Sequence, residues 1–294
     1  MNGTIPQNIG NLTSLYYLRI GENQISGTLP PGIGNLVNLQ TLSFYSNQIS
    51  GSIPSTIGNL VKISILDLSL NQIYGTIPSS IVYLSKLRYL ILQMNQIGGS
   101  IPSYIGNLTS LIILDLSSNP IIGRIPENIS NLIYLQTLFF PNSKISGTIP
   151  ENIGDMINLI SIDFSNSTIS GTIPKSIEKL ISLQTLDFSK NLISGSLPNV
   201  FNLTNLIYLD LSSNQIGGII PDEIMNLEGL TYLSLHNNQI NGTVPDSIGN
   251  LSNLQYWNFG SNKLSGTIPQ TIQYLTNLKY WDFSNNQFNG TIPS

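Results

Sequence analysis

The sequence predicts a repeat solenoid of the α/β type, mostly β and irregular in content. Three observations carry that expectation. Gly-x-[Ile/Leu/Val]-Pro recurs with its prolines at 30, 54, 78, 102, 126, 150, 174, 198, 221, 245, 269 and 293. The spacing is 24 residues, shortened once to 23. Charged residues make up only 9% of the chain and Cys is absent, a composition that fits one short motif written many times. Residues 1–294 therefore form a single solenoid of about twelve units, the 23-residue one spanning 192–214.

The unit reads L-x-x-L-x-x-L-x-L-x-x-N-x-I-x-G-x-I-P-x-x-I-G-N, as at Leu36 to Asn59. Its Leu-x-Leu core, such as Leu18 and Ile20, has period two, so these side chains share one face of a short strand. Tyr17, Arg19 and Gly21 then face away. Stacking the units pairs these strands in parallel, about 4.8 Å apart. The far side of each coil is bulkier than a strand, so the stack is expected to curve with the sheet inside.

After each strand stands an Asn, from Asn23 to Asn286, where the chain turns inward and leaves backbone groups without ladder partners. A side-chain amide, donor and acceptor together, can satisfy them in its own and the neighbouring coil. Ser143 and Ser167 replace it in two adjacent units. A hydroxyl supplies only part of that bonding, which predicts a locally weaker stack, either a tolerated substitution or a hinge.

No single unit buries its own apolar face, so stability requires neighbours and, at the ends, polar caps. The chain opens with Asn2-Gly3-Thr4-Ile5-Pro6 and closes with Asn289-Gly290-Thr291-Ile292-Pro293, with no cap at either end. That pattern reads as a fragment of a longer protein, the alternative being a complete protein without caps. Apolar ends around Leu12 and Phe288 would then favour head-to-tail self-association. In the short unit the deletion falls between Pro198 and Leu203 on the convex side, where Val200 and Phe201 replace Ile-Gly. A slight change of curvature is expected there.

L-D-L-S-x-N-x-I-x-G-x-I-P, at Leu66 to Pro78 and Leu209 to Pro221, resembles the plant-type leucine-rich repeat. The resemblance covers essentially the whole chain. It implies a curved, right-handed leucine-rich-repeat horseshoe with a parallel sheet on the concave face. It also implies kinship with the ectodomains of receptor-like kinases and receptor-like proteins, and more distantly with polygalacturonase inhibitors and antifreeze proteins. In that family Ile-Pro belongs to a second short strand on the flank after the turn. Such ectodomains usually carry Cys-paired caps, which this Cys-free sequence lacks. The motif is specific for fold and weakly specific for function.

No apolar run approaches the roughly 18 residues a membrane span needs, and Met1-Asn2-Gly3-Thr4 lacks a basic leader region. Membrane insertion by this chain is not expected, and a membrane anchor or kinase would have to lie in a longer parent protein. Sequons at Asn2, Asn11, Asn107, Asn128, Asn166, Asn202, Asn241, Asn250 and Asn289 suit N-glycosylation and an extracellular or cell-surface location. The repeat itself also writes Asn-Leu-Thr and Asn-Gly-Thr, so repetition alone accounts for most of them.

A single His236 and no Cys leave little for catalysis or transition-metal binding, and the expectation is no enzyme, no cofactor and no metal. Asp67, Asp115, Asp163, Asp187, Asp210 and Asp282 share one strand position. Neighbouring carboxylates in the run 163 to 210 fall about 5 Å apart, a separation seen in retaining glycosidases. Stacking alone produces the same spacing. A cation or basic peptide drawn to the stripe is the stronger reading, and the net charge of −4 argues against nucleic acid.

Specificity must reside where face positions depart from consensus. Tyr208, Tyr232, Tyr256 and Tyr280 occupy one column on four adjacent strands, an aromatic ladder about 14 Å long. Such a ladder suits a ligand platform, with Asp210, His236, Asn258 and Asp282 beside it, or else cross-strand pairing that stabilises the sheet. A second candidate patch is Leu70, Tyr89, Ile91, Met94, Ile113 and Phe139, apolar where Ser, Asp and Asn are usual; repeat drift is the alternative. Pro141 makes the sixth unit irregular. Trp257 and Trp281 stand at inward positions and read as core.

Two functions remain open. The first is a non-enzymatic, receptor-type recognition scaffold for a peptide, protein or glycan on the concave face, with a possible co-receptor. The second is an inhibitor of a cell-wall enzyme or an ice-binding solenoid, supported by Ser/Asn-Gly-Thr at 26–28, 146–148, 170–172, 241–243, 265–267 and 289–291.

Overall fold

The computed structural model describes residues 1–197 and 199–292. Pro198 and Pro293 of the expected Ile/Leu-Pro series therefore lie outside the described residues. Residues 1–146 and 147–294 form two compact units. Each is a stack of coils in which a three-residue face strand, a turn, a flank strand and a short 3-10 segment follow one another.

In the first unit the face strands are Tyr17–Arg19, Thr41–Ser43, Ile65–Asp67, Tyr89–Ile91, Ile113–Asp115 and Thr137–Phe139. They pair in parallel with identical columns in register, Leu42 against Leu66 and Leu66 against Leu90. The second unit repeats this with Ser161–Asp163, Thr185–Asp187, Tyr208–Asp210, Tyr232–Ser234, Tyr256–Asn258 and Tyr280–Asp282. Period two does the sorting: Leu42, Leu66, Leu209 and Leu233 are fully buried, while the residues flanking them form the open face of the sheet.

Out of each face strand the chain turns through a residue with φ between 52° and 56°, from Glu22 to Asn285. Most of these positions hold Ser or Asn, but Leu70 and Met94 adopt φ of 54° and 53°. A left-handed conformation costs a side-chain-bearing residue on the order of 1 kcal/mol. The turn points both chains outward, and they are 40% and 54% exposed.

The Asn after the turn does what its position predicts. Asn119 Nδ2 donates to Leu92 O at 2.9 Å, Leu116 O at 3.2 Å and Ser117 O at 3.1 Å, and its Oδ1 accepts Ile97 N–H at 2.9 Å. One amide thus satisfies groups of two coils, and the same set recurs at Asn71 and Asn95. Ser143, which replaces this Asn, accepts the N–H of Ile145 in its own coil at 3.3 Å.

The flank strand differs from expectation. It runs Gln24–Thr28 and Gln48–Ser50 in the first unit and Leu192–Ser196, Gln215–Ile219 and Gln239–Gly242 in the second, so it precedes the Ile-Pro pair instead of containing it. Proline has no N–H to give a ladder. Pro30, Pro54 and Pro78 instead sit in extended conformation just before the 3-10 segments Pro31–Asn35, Ser55–Asn59 and Ser79–Tyr83. These segments pack closely on one another. A Cβ on Gly34 would lie 2.3 Å from Thr56 O, so the Ile-Gly-Asn of the repeat needs a residue without a side chain there.

A further ladder runs along this side: Thr56 Oγ1 donates to Pro31 O at 2.7 Å and Ser80 Oγ to Ser55 O at 2.6 Å. In the short coil Val200 and Phe201 are buried. Phe164 and Phe188 stack at 5.3 Å inside the second unit.

Replacing Asn119 by Ala leaves buried groups of two coils without partners, at a cost of about 3 kcal/mol. Urea denaturation of Asn119→Ala should show that loss, with a clearly smaller one for the half-buried Asn23→Ala. Equal losses would show that the amide's inter-coil bonding is not what stabilises the stack.

Candidate functional site

Parallel register brings the four tyrosines of the second unit into one column, since Tyr208 pairs with Tyr232, Tyr232 with Tyr256, and Tyr256 with Tyr280. Adjacent strands lie about 4.8 Å apart, close to aromatic stacking distance. The rings stack with centroids 4.3, 4.3 and 4.4 Å apart and interplanar angles of 12°, 6° and 4°. Both readings of the ladder are thus physically present. The rings satisfy each other face to face, and what they offer outward is a row of edges and hydroxyls.

Those hydroxyls meet the neighbouring column. Tyr232 Oη donates to Asp210 Oδ2 at 3.3 Å, and Asn258 Nδ2 donates to Tyr256 Oη at 3.4 Å. Burial, then the nearby Asp210, raises the Tyr232 phenol above its ordinary range, and burial, then Asp187 and Asp210, does the same at Tyr208. Partial desolvation in the stack, with Tyr256 and Asp282 alongside, also raises Tyr280. Tyr208, Tyr232 and Tyr280 therefore stay uncharged at neutral pH.

The Asp column has a structural task. Asp163 Oδ1 accepts the N–H of Ser165 at 2.8 Å, Asp187 that of Ser189 at 2.9 Å, Asp210 that of Ser212 at 2.8 Å, and Asp282 that of Ser284 at 2.8 Å. Each carboxylate ties down the start of the left-handed turn, as Asx residues do. Asn258 serves Gly260 N–H in the same way at 2.9 Å. This explains the D of L-D-L-S without catalysis, and the S is explained where Ser69 Oγ also donates to Asp67 Oδ1, at 2.6 Å.

Register also places Asp187 between Asp163 and Asp210. Burial, outweighing the bonds from Ser189 and helped by those two carboxylates, pushes its pKa up to about 6. Asp282 goes the other way, held below the usual range by its bonds from Ser284. His236 is half-buried on the same face, its Nδ1 buried and without a hydrogen-bond partner. Trp257 is fully buried, as its column predicts, whereas Trp281, stacked on it at 6.2 Å, is 37% exposed.

The apolar patch is also assembled, in the first unit. Tyr89 pairs with Ile113, and Ile91 and Phe139 flank Asp115 in register. Burial between them raises the Asp115 pKa despite two bonds from Ser117. Leu70 and Met94 stand at the turns above.

Eight of the nine sequon asparagines are exposed. Asn128 is the exception, half-buried with Nδ2 donating to Ser103 O at 2.7 Å, so a glycan there would displace an inter-coil bond. Among the described residues no group of three or more His, Asp or Glu could hold a metal ion, and no helix is long and apolar enough to cross a membrane. The Asx bonds, the left-handed turn and the side-chain-free position at Gly260 were not read from the sequence. The recurrence of Asp-x-Ser was the available signal.

Leucine rich repeat models match residues 14–36, 38–60, 86–108, 110–132 and 158–180, and a second leucine rich repeat model matches 182–240 and 228–288. The chain belongs to the leucine-rich-repeat family. Among solved structures it is similar to the plant peptide hormone receptor RGFR1 in complex with RGF2, with a TM-score of 0.93 and 36% identity over 99% of this chain and 51% of that one. A leucine-rich-repeat protein of Leptospira interrogans matches with a TM-score of 0.79 and 34% identity, over 97% of this chain and 70% of that one. A plant ice-binding protein matches with a TM-score of 0.73 and 26% identity, over 94% of this chain and 82% of that one. The chain spans about half the length of the receptor structure. No curated protein sequence matches it.

Because Asp187 has a pKa of about 6 in the fold against 3.8 ordinarily, folding favours its protonated form. The stability it contributes is present below about pH 4 and lost as pH rises through about 6, on the order of 1 to 3 kcal/mol. Urea titrations at pH 4 and pH 7 should show this difference, and Asp187→Asn should shrink it. An unchanged pH dependence in the variant would remove Asp187 as its source.

Proposed function

We propose that the chain is a non-enzymatic recognition domain that binds an extended peptide on the open sheet face of its second unit, along Tyr208, Tyr232, Tyr256 and Tyr280. The stacked ladder is the observation that carries the reading. Stacking holds four hydroxyl edges in one row before any ligand arrives, so little side-chain entropy is lost on binding. Asp210, Asn258, Asp282 and His236 line the row with acceptors and donors. The likeness to a peptide hormone receptor supports this reading, as does the specialisation of face positions in the second unit. The exposed sequons fit an extracellular or cell-surface setting.

The test is a display library of random decapeptides panned on the purified chain. Selected peptides should lose about tenfold in affinity for a Tyr232→Phe/Tyr256→Phe variant, since two hydrogen bonds of about 0.7 kcal/mol each are removed while the stack remains. Selection of no peptide, or binding untouched by the Phe variant and by Tyr→Ser at all four positions, would overturn the proposal.

One observation favours a second reading, an ice-binding flank. Thr28, Thr148, Thr172 and Thr243 are exposed on the flank strands' ends. Each presses its methyl on the next coil's glycine: a Cβ on Gly51, Gly171, Gly195 or Gly266 would fall 2.7 to 2.8 Å from the Thr Cγ2. The hydroxyls are thereby held in a common orientation. Arg124 and Ile219 interrupt the row, which weighs against a continuous ice plane. An ice-recrystallisation assay should show no inhibition at micromolar concentration. Inhibition that disappears in the four-fold Thr→Ala variant would establish the flank as the working surface.

A further inference from the structure

We propose that the Tyr ladder is a site of oxidative cross-linking, at which a haem peroxidase and hydrogen peroxide join Tyr256 to Tyr280 through a carbon–carbon bond between their rings. This chemistry stands whether or not the face binds a peptide.

Tyr256 and Tyr280 are paired residues of neighbouring strands. Their rings lie 4.4 Å apart with an interplanar angle of 4°. Parallel rings carried at the same strand position bring the carbons beside one hydroxyl, Cε1 and Cε2, close to their counterparts on the next ring. Those carbons carry much of the unpaired spin of a phenoxyl radical. Two such radicals already held side by side couple far faster than radicals that must meet by diffusion.

Tyr280 is 43% exposed, whereas Tyr208, Tyr232 and Tyr256 are half-buried, so an oxidant reaches the ladder most readily at Tyr280. Its hydroxyl bonds both the Tyr256 hydroxyl and the Asp282 carboxylate. The first contact keeps the two hydroxyl edges together, and the second supplies an acceptor for the phenolic proton as an electron leaves the ring. Tyr74, Tyr83, Tyr104 and Tyr274 are more exposed than Tyr280, but among the described residues tyrosine stacks on tyrosine only in the ladder. Exposure alone therefore leaves those four to couple between molecules.

In the reaction each ring gives up one electron and its phenolic proton. The two radicals form one bond between Cε atoms, and each bonded carbon passes its hydrogen to the ring oxygen as the ring regains aromaticity. Hydrogen peroxide takes the two electrons and two protons on the peroxidase and becomes two molecules of water, so the chain loses two hydrogen atoms. The new bond spans the 24 residues of one repeat. It ties neighbouring coils of a chain that has no Cys, restraining the unfolded chain as other cross-links do.

The test treats the purified chain with a haem peroxidase and hydrogen peroxide at submicromolar chain concentration, where coupling between molecules is slow. Trypsin cuts after Lys190, Lys263 and Lys279, which places Tyr256 on peptide 191–263, Tyr274 on 264–279 and Tyr280 on 280–294. The monomer should gain dityrosine fluorescence, become lighter by two hydrogen atoms without added oxygen, and yield peptides 191–263 and 280–294 joined. That product should exceed any join to 264–279 by at least about tenfold, because Tyr274 lacks the proximity the stack supplies. Tyr256→Phe and Tyr280→Phe each keep a ring in the stack but remove the phenol, and each should abolish the joined product. Absence of the joined peptides from the native monomer, equal joining to 264–279, or a joined product that survives Tyr256→Phe would overturn the cross-link.

Discussion

The structure depends on one constraint: a coil cannot satisfy its own backbone. Its face strand has no partner, its turn strands carbonyls, and its apolar residues cover only part of one another. Neighbouring coils supply what is missing through the Asn amide, whose Nδ2 reaches two coils and whose Oδ1 takes the N–H of the coil before it. Because that bonding works only with the same residue at the same place in every coil, repetition in sequence and translation in space enforce each other. Columns then follow, of Leu, of Asp, of Thr and, in one place, of Tyr.

The same repetition governs chemistry. An Asp that recurs on stacked strands brings carboxylates together whether or not they do anything, and the Asx bonds to Ser165, Ser189 and Ser212 explain their presence. The raised pKa of Asp187 is a side effect of stacking like charges in a half-buried row. What distinguishes the Tyr ladder is that no bond of the scaffold requires it. Thr137, Ser161 and Thr185 occupy the same column in other coils and the strands pair equally well there. The step from scaffold to recognition therefore lies in side chains the fold tolerates without needing.

Much of the fold was legible because period and residue type were both informative. Leu18, Leu42 and Leu66 announced the strand, Asn47 and Asn71 the ladder, and the prolines the length of a coil. The flank strand was placed on the Ile-Pro pair and lies before it, since Ile-Pro looks like strand sequence and only its missing N–H excludes it. The left-handed turn was invisible because Leu70 and Met94 occupy it beside Ser and Asn, and residue preference there is overridden by the bonding on either side. The site was half legible. Column arithmetic gave the neighbours of Tyr232, but not whether its ring would lie flat for a ligand or stand against the next one.

By itself the sequence determined the repeat, its register and therefore which residues share a column, because stacking at one strand per coil converts a 24-residue period directly into adjacency. Tertiary structure alone decided the orientation within those columns. Tyrosines 4.3 Å apart turn their faces to each other and their hydroxyls outward. Asp282 leans over a glycine, and threonine methyls lock against the next coil. Those choices depend on contacts between coils, distances a linear repeat does not encode, and they determine what this surface presents to a partner.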